Sequence, residues 1–175
     1  MSLSRLSFLL VGLAGVLPPG PASAQRLSQH GTVSQTVNET EITIVYNRPV
    51  ARGRTLFGGI IAWDRIWNPG ADTATAITFS TPVTVAGESV PAGTYTIWLQ
   101  PGRARWNFIL SRAHGIFHDP YPGESQDALR LRVATTTAEH METMAFYFPV
   151  VGPRQTTLRF HWGTTALDIP MTVPE

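Results

Sequence analysis

Three arginines fall within the seven residues Arg48-Pro49-Val50-Ala51-Arg52-Gly53-Arg54. Guanidinium groups gathered this closely can hold a carboxylate, sulfate or phosphate through paired, charge-assisted N–H forks. The competing reading is three separate surface ion pairs, each contributing little. Pro49 stops strand pairing if the strand is central, so the chain should turn there, and Gly53 lets the backbone approach a ligand. Three arginines on one turn repel one another unless an anion or nearby carboxylates, Asp64, Asp72 or Glu124, neutralise them. Trp67 and Trp98 are candidate apolar walls for such a ligand. Trp98 shares its alternation phase with Thr94 and Thr96, not with Tyr95, Ile97 and Leu99. An aromatic on the wet face of a sheet can stack on a sugar ring or meet a partner, unless segment 48–69 folds over it. Asp64 and Asp72 bracket Trp67-Asn68-Pro69-Gly70 and could pair as acid and base, and Asp72 is also a candidate ligand contact.

His114 and His118 have the i, i+4 spacing of a helical zinc site. Gly115 and Pro120 break the helix that this spacing needs, so an irregular surface loop is expected, with no metal and no cofactor. There is no Gly-x-Ser-x-Gly elbow, cysteine nucleophile, phosphate loop or calcium loop. No catalytic residue is assigned on this basis.

The elements that must carry these residues read as strands. Period-two alternation recurs over residues 33–37, 40–46, 74–80, 83–85, 94–100, 105–111, 129–134, 143–150, 155–162 and 165–173. Leu129, Leu131 and Val133 should face inward, as should Met144, Phe146 and Phe148, and Leu158, Phe160 and Trp162. Arg159 and His161 should face outward. About nine or ten short strands with frequent turn signals describe an all-β domain, an antiparallel β-sandwich with one wet face. Segments 48–69 and 113–127 escape the alternation, and the second could hold a short helical turn near 125–129.

Charged residues are only 14 % of the chain, against about 25 % in an average soluble protein. All thirteen basic residues are Arg, and the formal net charge of +1 excludes a polybasic nucleic-acid binder. Residues 1–24 read as a secretory signal peptide: Arg5, an apolar stretch over 6–17 too short to span a bilayer, then Ala22-Ser23-Ala24 as a small–x–small cleavage site. Cleavage after Ala24 would leave a mature domain over 25–175 that begins at Gln25, in the periplasm or outside the cell. Without cysteine neither disulfides nor lipid attachment at the cleavage point is available. No later segment is long and apolar enough for a membrane span.

The pattern Tyr46-x-Arg48-Pro49-x-x-Arg52-Gly53-Arg54-x-x-Phe57-Gly58-Gly59 resembles a bacterial family known as the domain of unknown function 2911. The likeness continues through Trp67-x-x-Gly70-Ala71-x-x-Ala74-Thr75, Pro91-Ala92-Gly93-Thr94-Tyr95, Asp127-x-x-Arg130 and Trp162. Many members carry Arg and Asn where this chain has Asn68 and Asp72. The resemblance implies export and a β-rich domain, and it implies no reaction. The expected function is non-enzymatic binding of a small anionic or carbohydrate-like ligand, or of an envelope partner. Arg48, Arg52 and Arg54 would orient the ligand beside Trp67, Trp98 and Asp72. The alternatives are a hydrolase or lyase on a cell-envelope substrate using Asp64, Asp72, His114 or His118 for proton transfer, and a structural envelope module.

Overall fold

Nine strands, joined antiparallel throughout, account for most of residues 28–175, which the structure, a computed structural model, describes. The expected signal peptide, its cleavage site and Gln25 lie outside the described residues. In chain order the strands are β1 (Gln29–Val37), β2 (Thr40–Arg48), β3 (Ala76–Phe79), β4 (Val83–Val85), β5 (Glu88–Val90), β6 (Gly93–Gln100), β7 (Arg105–Ser111), β8 (Asp127–Val151) and β9 (Gln155–Thr172). They form one sheet in the order β1-β2-β3-β6-β7-β8-β9-β4-β5. Among the described residues the only helix is a three-residue 3₁₀ turn, Glu124–Gln126.

Turn chemistry sets the hairpins. Asn38, between β1 and β2, takes φ 51°, a left-handed conformation that asparagine tolerates better than most residues. The β6–β7 hairpin closes at Pro101-Gly102 and pairs Gln100 with Asn107.

Two strands are far longer than alternation implies. Segments 129–134 and 143–150 are both parts of β8, and 155–162 and all but the last residue of 165–173 run together in β9. The first part of β8 pairs with β7 and the remainder with β9, through register shifts between Thr137 and Met141, Met141 and Ala145, and Tyr147 and Val150. Such bulges bend a strand and raise its twist, and Gly163, at φ 59° opposite Met141, bends β9 at the same level. The sheet thereby folds over onto itself. Tyr46 of β2 meets Phe146 of β8 edge-on at 5.3 Å, and Trp106 of β7 meets Phe160 of β9 at 6.0 Å. One apolar cluster therefore receives side chains from both ends of the sheet, the layering of a sandwich.

The inward residues are as alternation predicts at Leu129, Met144, Phe146, Leu158, Phe160 and Trp162, all buried. Two outward assignments are corrected. His161 is only 4 % exposed, because the shifted part of β8 brings the Glu139 carbonyl 3.0 Å from its Nε2 while Tyr147 Oη sits 3.1 Å from Nδ1. Trp98 is fully buried on the outer face, covered by the ring of Tyr121 at 5.3 Å. The cover is the loop after β7, not segment 48–69. Tyr121 is tied to Asp127, Arg130 Nε reaches Asp127 Oδ2 at 3.0 Å, and Arg130 Nη2 reaches Tyr121 Oη at 3.0 Å.

Candidate functional site

After β2 the chain bridges to β8, where Met144 N–H donates to Pro49 O at 2.9 Å and Ala51 N–H to Glu142 O at 2.8 Å. It then reverses within Ala51-Arg52-Gly53-Arg54, closed by Arg54 N–H to Ala51 O at 3.1 Å. Arg52 (φ 53°) and Gly53 (φ 66°) are both left-handed, as in a type I′ turn. That conformation is unfavourable for arginine by roughly 1–2 kcal/mol. Glu142 Oε1, 90 residues away, holds the turn by accepting the Arg52 N–H at 2.6 Å. A hydrogen bond from His140, then the Arg52 N–H, keeps the Glu142 carboxyl below its ordinary range. Arg54 is pre-oriented by two backbone carbonyls, Nε to Ala51 O at 2.9 Å and Nη2 to Val50 O at 2.7 Å.

The following segment winds tightly, with Ile60 N–H to Thr55 O at 3.0 Å and Ile61 N–H to Leu56 O at 2.9 Å. A Cβ on Gly59 would sit 2.1 Å from Thr55 O, so only glycine fits. The segment then lies along β6: Trp67 and Leu99 exchange both backbone hydrogen bonds at 2.9 Å. Asn68 is buried and anchors it, with Nδ2 donating to Ile97 O at 2.8 Å and Oδ1 accepting from Thr75 N–H at 2.9 Å.

Between this strap and the Arg52–Gly53 turn lies a cavity of about 710 Å³, open on one side, whose wall includes Arg52, Arg54, Arg65, Trp67, His118 and Asp119. The Trp67 ring packs against Trp162 at 6.1 Å, and its indole nitrogen is shut off from solvent with no hydrogen-bond partner. A buried N–H without an acceptor is costly to keep, and what Trp67 offers the cavity is its ring rather than this enclosed nitrogen. Arg65 Nη2 lies 3.8 Å from Asp119, but both side chains are well exposed (70 % and 60 %), so the pair is weak. The His118 ring is held by Asp72 O at 2.7 Å from Nδ1, which places a proton on Nδ1. Three guanidinium groups against one carboxylate make the wall net positive. The arrangement can bind an anion, with an aromatic surface beside it.

The residues singled out in the sequence are divided by the fold. Arg52, Arg54 and Trp67 share the cavity wall. Arg48 does not: its Nε donates to Met144 O at 3.2 Å, and its stem lies over Gly31. Trp98 lies under Tyr121 on the other face of β6. Asp72 contributes its backbone carbonyl to His118, and its carboxylate is not in the wall. Asp64 lines a different cleft, beside the β6–β7 hairpin, so it and Asp72 do not converge there. Glu124 pairs with Arg130 at 3.4 Å, not with the arginine turn. His114 stands outside the wall, and among the described residues no group of three or more His, Asp or Glu gathers as a metal site would need.

Sequence reasoning missed Arg65 and Glu142, and Asp119 entered it only as the acid of a Ser125/His118/Asp119 triad that could be assembled on paper. Arg65 is two residues from Trp67, a local signal that could have been used. Glu142 is distant from Arg52 and joins it only through the β2–β8 crossing, which no local pattern announces.

Searches of curated proteins and of solved structures each returned no match. The family model described as "Protein of unknown function (DUF2911)" matches residues 28–171, from just before β1 to the penultimate residue of β9, and the chain belongs to this family.

Proposed function

We propose that this protein is an exported, non-enzymatic binding module for a small anionic or carbohydrate-like ligand, seated in the cavity beside the arginine turn. The observation that carries the reading is the union, in one wall, of Arg52, Arg54 and Arg65 with the aromatic surface of Trp67. Guanidinium forks match carboxylate, sulfate and phosphate oxygens, and an indole supplies an apolar face. Export rests on the signal-peptide reading of residues 1–24. The test is a thermal-shift panel of glucuronate, citrate, sulfate and phosphate. A ligand at 100 times its dissociation constant stabilises by about 2.7 kcal/mol, on the order of 5–10 °C at this size. Arg65→Ala, at an exposed position, should abolish the shift without lowering the melting temperature of the free protein. A flat response across the panel overturns the reading.

One observation favours a second reading, a hydrolase or lyase on an envelope substrate. His118 and Asp119 are titratable and line the same wall as the arginines. With Nδ1 occupied by Asp72 O, the neutral ring presents Nε2 as a base. Turnover of a bound compound, lost in His118→Gln while binding persists, would decide for this alternative.

A further inference from the structure

A second cleft adjoins the cavity beside the arginine turn, and a third is linked to the second through a contact between Trp63 and Arg103. Arg54 and Trp162 belong to the walls of both that cavity and a second one of about 390 Å³, which also contains Trp63. Arg103 lies over the Trp63 ring, its guanidinium carbon 4.7 Å from the ring centroid. Arg103 in turn lines a third cleft, of about 550 Å³, with Arg105 and Arg132. Arg105 pairs in register with Ala134 and Asn107 with Arg132, so Arg105 and Arg132 are diagonal neighbours on the outer face of β7 and β8. At this diagonal spacing two long, exposed guanidinium side chains can reach the same bound anion. Among the described residues no ion pair engages Arg103, Arg105 or Arg132. The same cleft holds two amides in fixed orientation, Asn107 Nδ2 donating to Gln100 Oε1 at 2.6 Å and Gln100 Nε2 to Asp64 O at 2.8 Å.

Building on the anion-binding reading of the first cavity, we propose that its ligand is one part of a linear acidic glycan, a chain of uronic-acid units. The chain passes Arg54 and Trp63 and ends in the arginine cleft at the β6–β7 hairpin. Separate guanidinium forks suit carboxylates spaced along a polymer, and the amides and the hydroxyls of Thr164 and Thr165 suit sugar hydroxyls. A single-stranded nucleic acid fits less well. It needs open aromatic faces for its bases, whereas Trp162 is 2 % exposed and Trp63 carries Arg103.

The test is calorimetric titration of the protein at low salt with galacturonate and its hexamer, beside maltohexaose and a decamer of deoxythymidylate. Each exposed Arg–carboxylate contact multiplies affinity about two- to threefold, so three added contacts make the hexamer about tenfold tighter than the single sugar acid. The double variant R105Q/R132Q should lose most of that gain and keep the wild-type affinity for galacturonate. Retention of the full gain in the double variant would show that it comes only from having several equivalent ends, and the track is then wrong. Equal affinity for both lengths, or binding of maltohexaose or the deoxythymidylate decamer as tightly as the acidic hexamer, also overturns it. If galacturonate binds and length brings nothing, the track fails and the small-anion reading survives. If the hexamer binds with the predicted sensitivity to Arg105 and Arg132 while Arg65→Ala has no effect on either ligand, the first-cavity reading fails and with it the proposed path. Absence of all binding refutes both.

Discussion

Replacing Asn68 by alanine tests whether the strap that carries Arg65 and Trp67 is held from below. Asn68 is 2 % exposed, and its amide joins three stretches of chain: its own, β6 through Ile97 O, and the approach to β3 through Thr75 N–H. Alanine would leave that carbonyl and that N–H without the side-chain partner in surroundings closed to water, since Ile97 and Thr75 are both fully buried. A stranded buried polar group costs about 1–3 kcal/mol, so the pair should cost about 2–5 kcal/mol. At this chain length that lowers the melting temperature by about 5–15 °C. Asn68→Asp separates the two bonds. The carboxylate keeps its contact with Thr75 N–H, but its second oxygen faces the Ile97 carbonyl with no proton between them. Burial and that repulsion raise the folded-state pKa of the introduced acid above its unfolded value. A raised folded pKa makes the variant most stable below the unfolded value, about 3.9, and progressively less so as pH rises through the folded value. Calorimetric melts of the two variants at pH 4 and pH 7 provide the assay, with acrylamide quenching of tryptophan as a measure of strap opening. If Asn68→Ala melts within a degree or so of the wild type, or if the deficit of Asn68→Asp does not grow with pH, the strap is not anchored as argued.

Three further outcomes follow from the same geometry. Burial, then the hydrogen bond to Asp127, pushes the Tyr121 phenol up to about 12. Its contribution to stability is complete below the unfolded value near 10 and is lost as pH rises through about 12; alkaline melts should show that loss in the wild type and not in Tyr121→Phe. The Glu142 carboxyl is held below its ordinary range, so its grip on the arginine turn is present above about pH 4.3 and released as pH falls through the lower folded value. The Arg52 amide resonance should report this in an NMR titration, and Glu142→Ala should abolish the transition. Gly59→Ala forces a Cβ to within 2.1 Å of Thr55 O, which should destabilise the protein by about 1–3 kcal/mol in denaturant unfolding.

Alternation exposes the fold where a strand has one dry and one wet face, and fails where something covers the wet one. For Trp106, Phe108 and Leu110, or Leu167, Ile169 and Met171, phase alone places the side chain correctly. Trp98 and Ile109 have the opposite phase and are just as buried, because the loop after β7, pinned by Asp127 and Arg130, makes a second small apolar layer over them. The signal for that cover was present as Asp127-x-x-Arg130, but its meaning depends on Tyr121 lying above Trp98. The length of β8 was hidden for a different reason. Residues 135–142 are mostly polar, as a loop would be, yet they continue the strand because the bend between the two layers of the sheet exposes both their faces.

The arginine cluster shows why a short motif does not make a site. Arg48 is the last residue of β2 and stays on the sheet, packed over Gly31, whereas Arg52 and Arg54 flank a left-handed Gly53 beyond the bridge to β8. Residues four apart in sequence are thereby sent to different surroundings, and the third guanidinium of the cavity comes instead from Arg65, on the strap. What unites Arg52, Arg54 and Arg65 is a pair of anchors: Glu142 under the turn and Asn68 under the strap. Neither anchor lies in the wall, and each acts through backbone groups distant in sequence. Three other carboxylates are committed to arginines outside the cavity: Asp127 to Arg130, Asp168 to Arg159 and Glu175 to Arg154. The make-up of the wall thus depends on the two distant anchors, Glu142 and Asn68, as much as on where the arginines stand in the sequence.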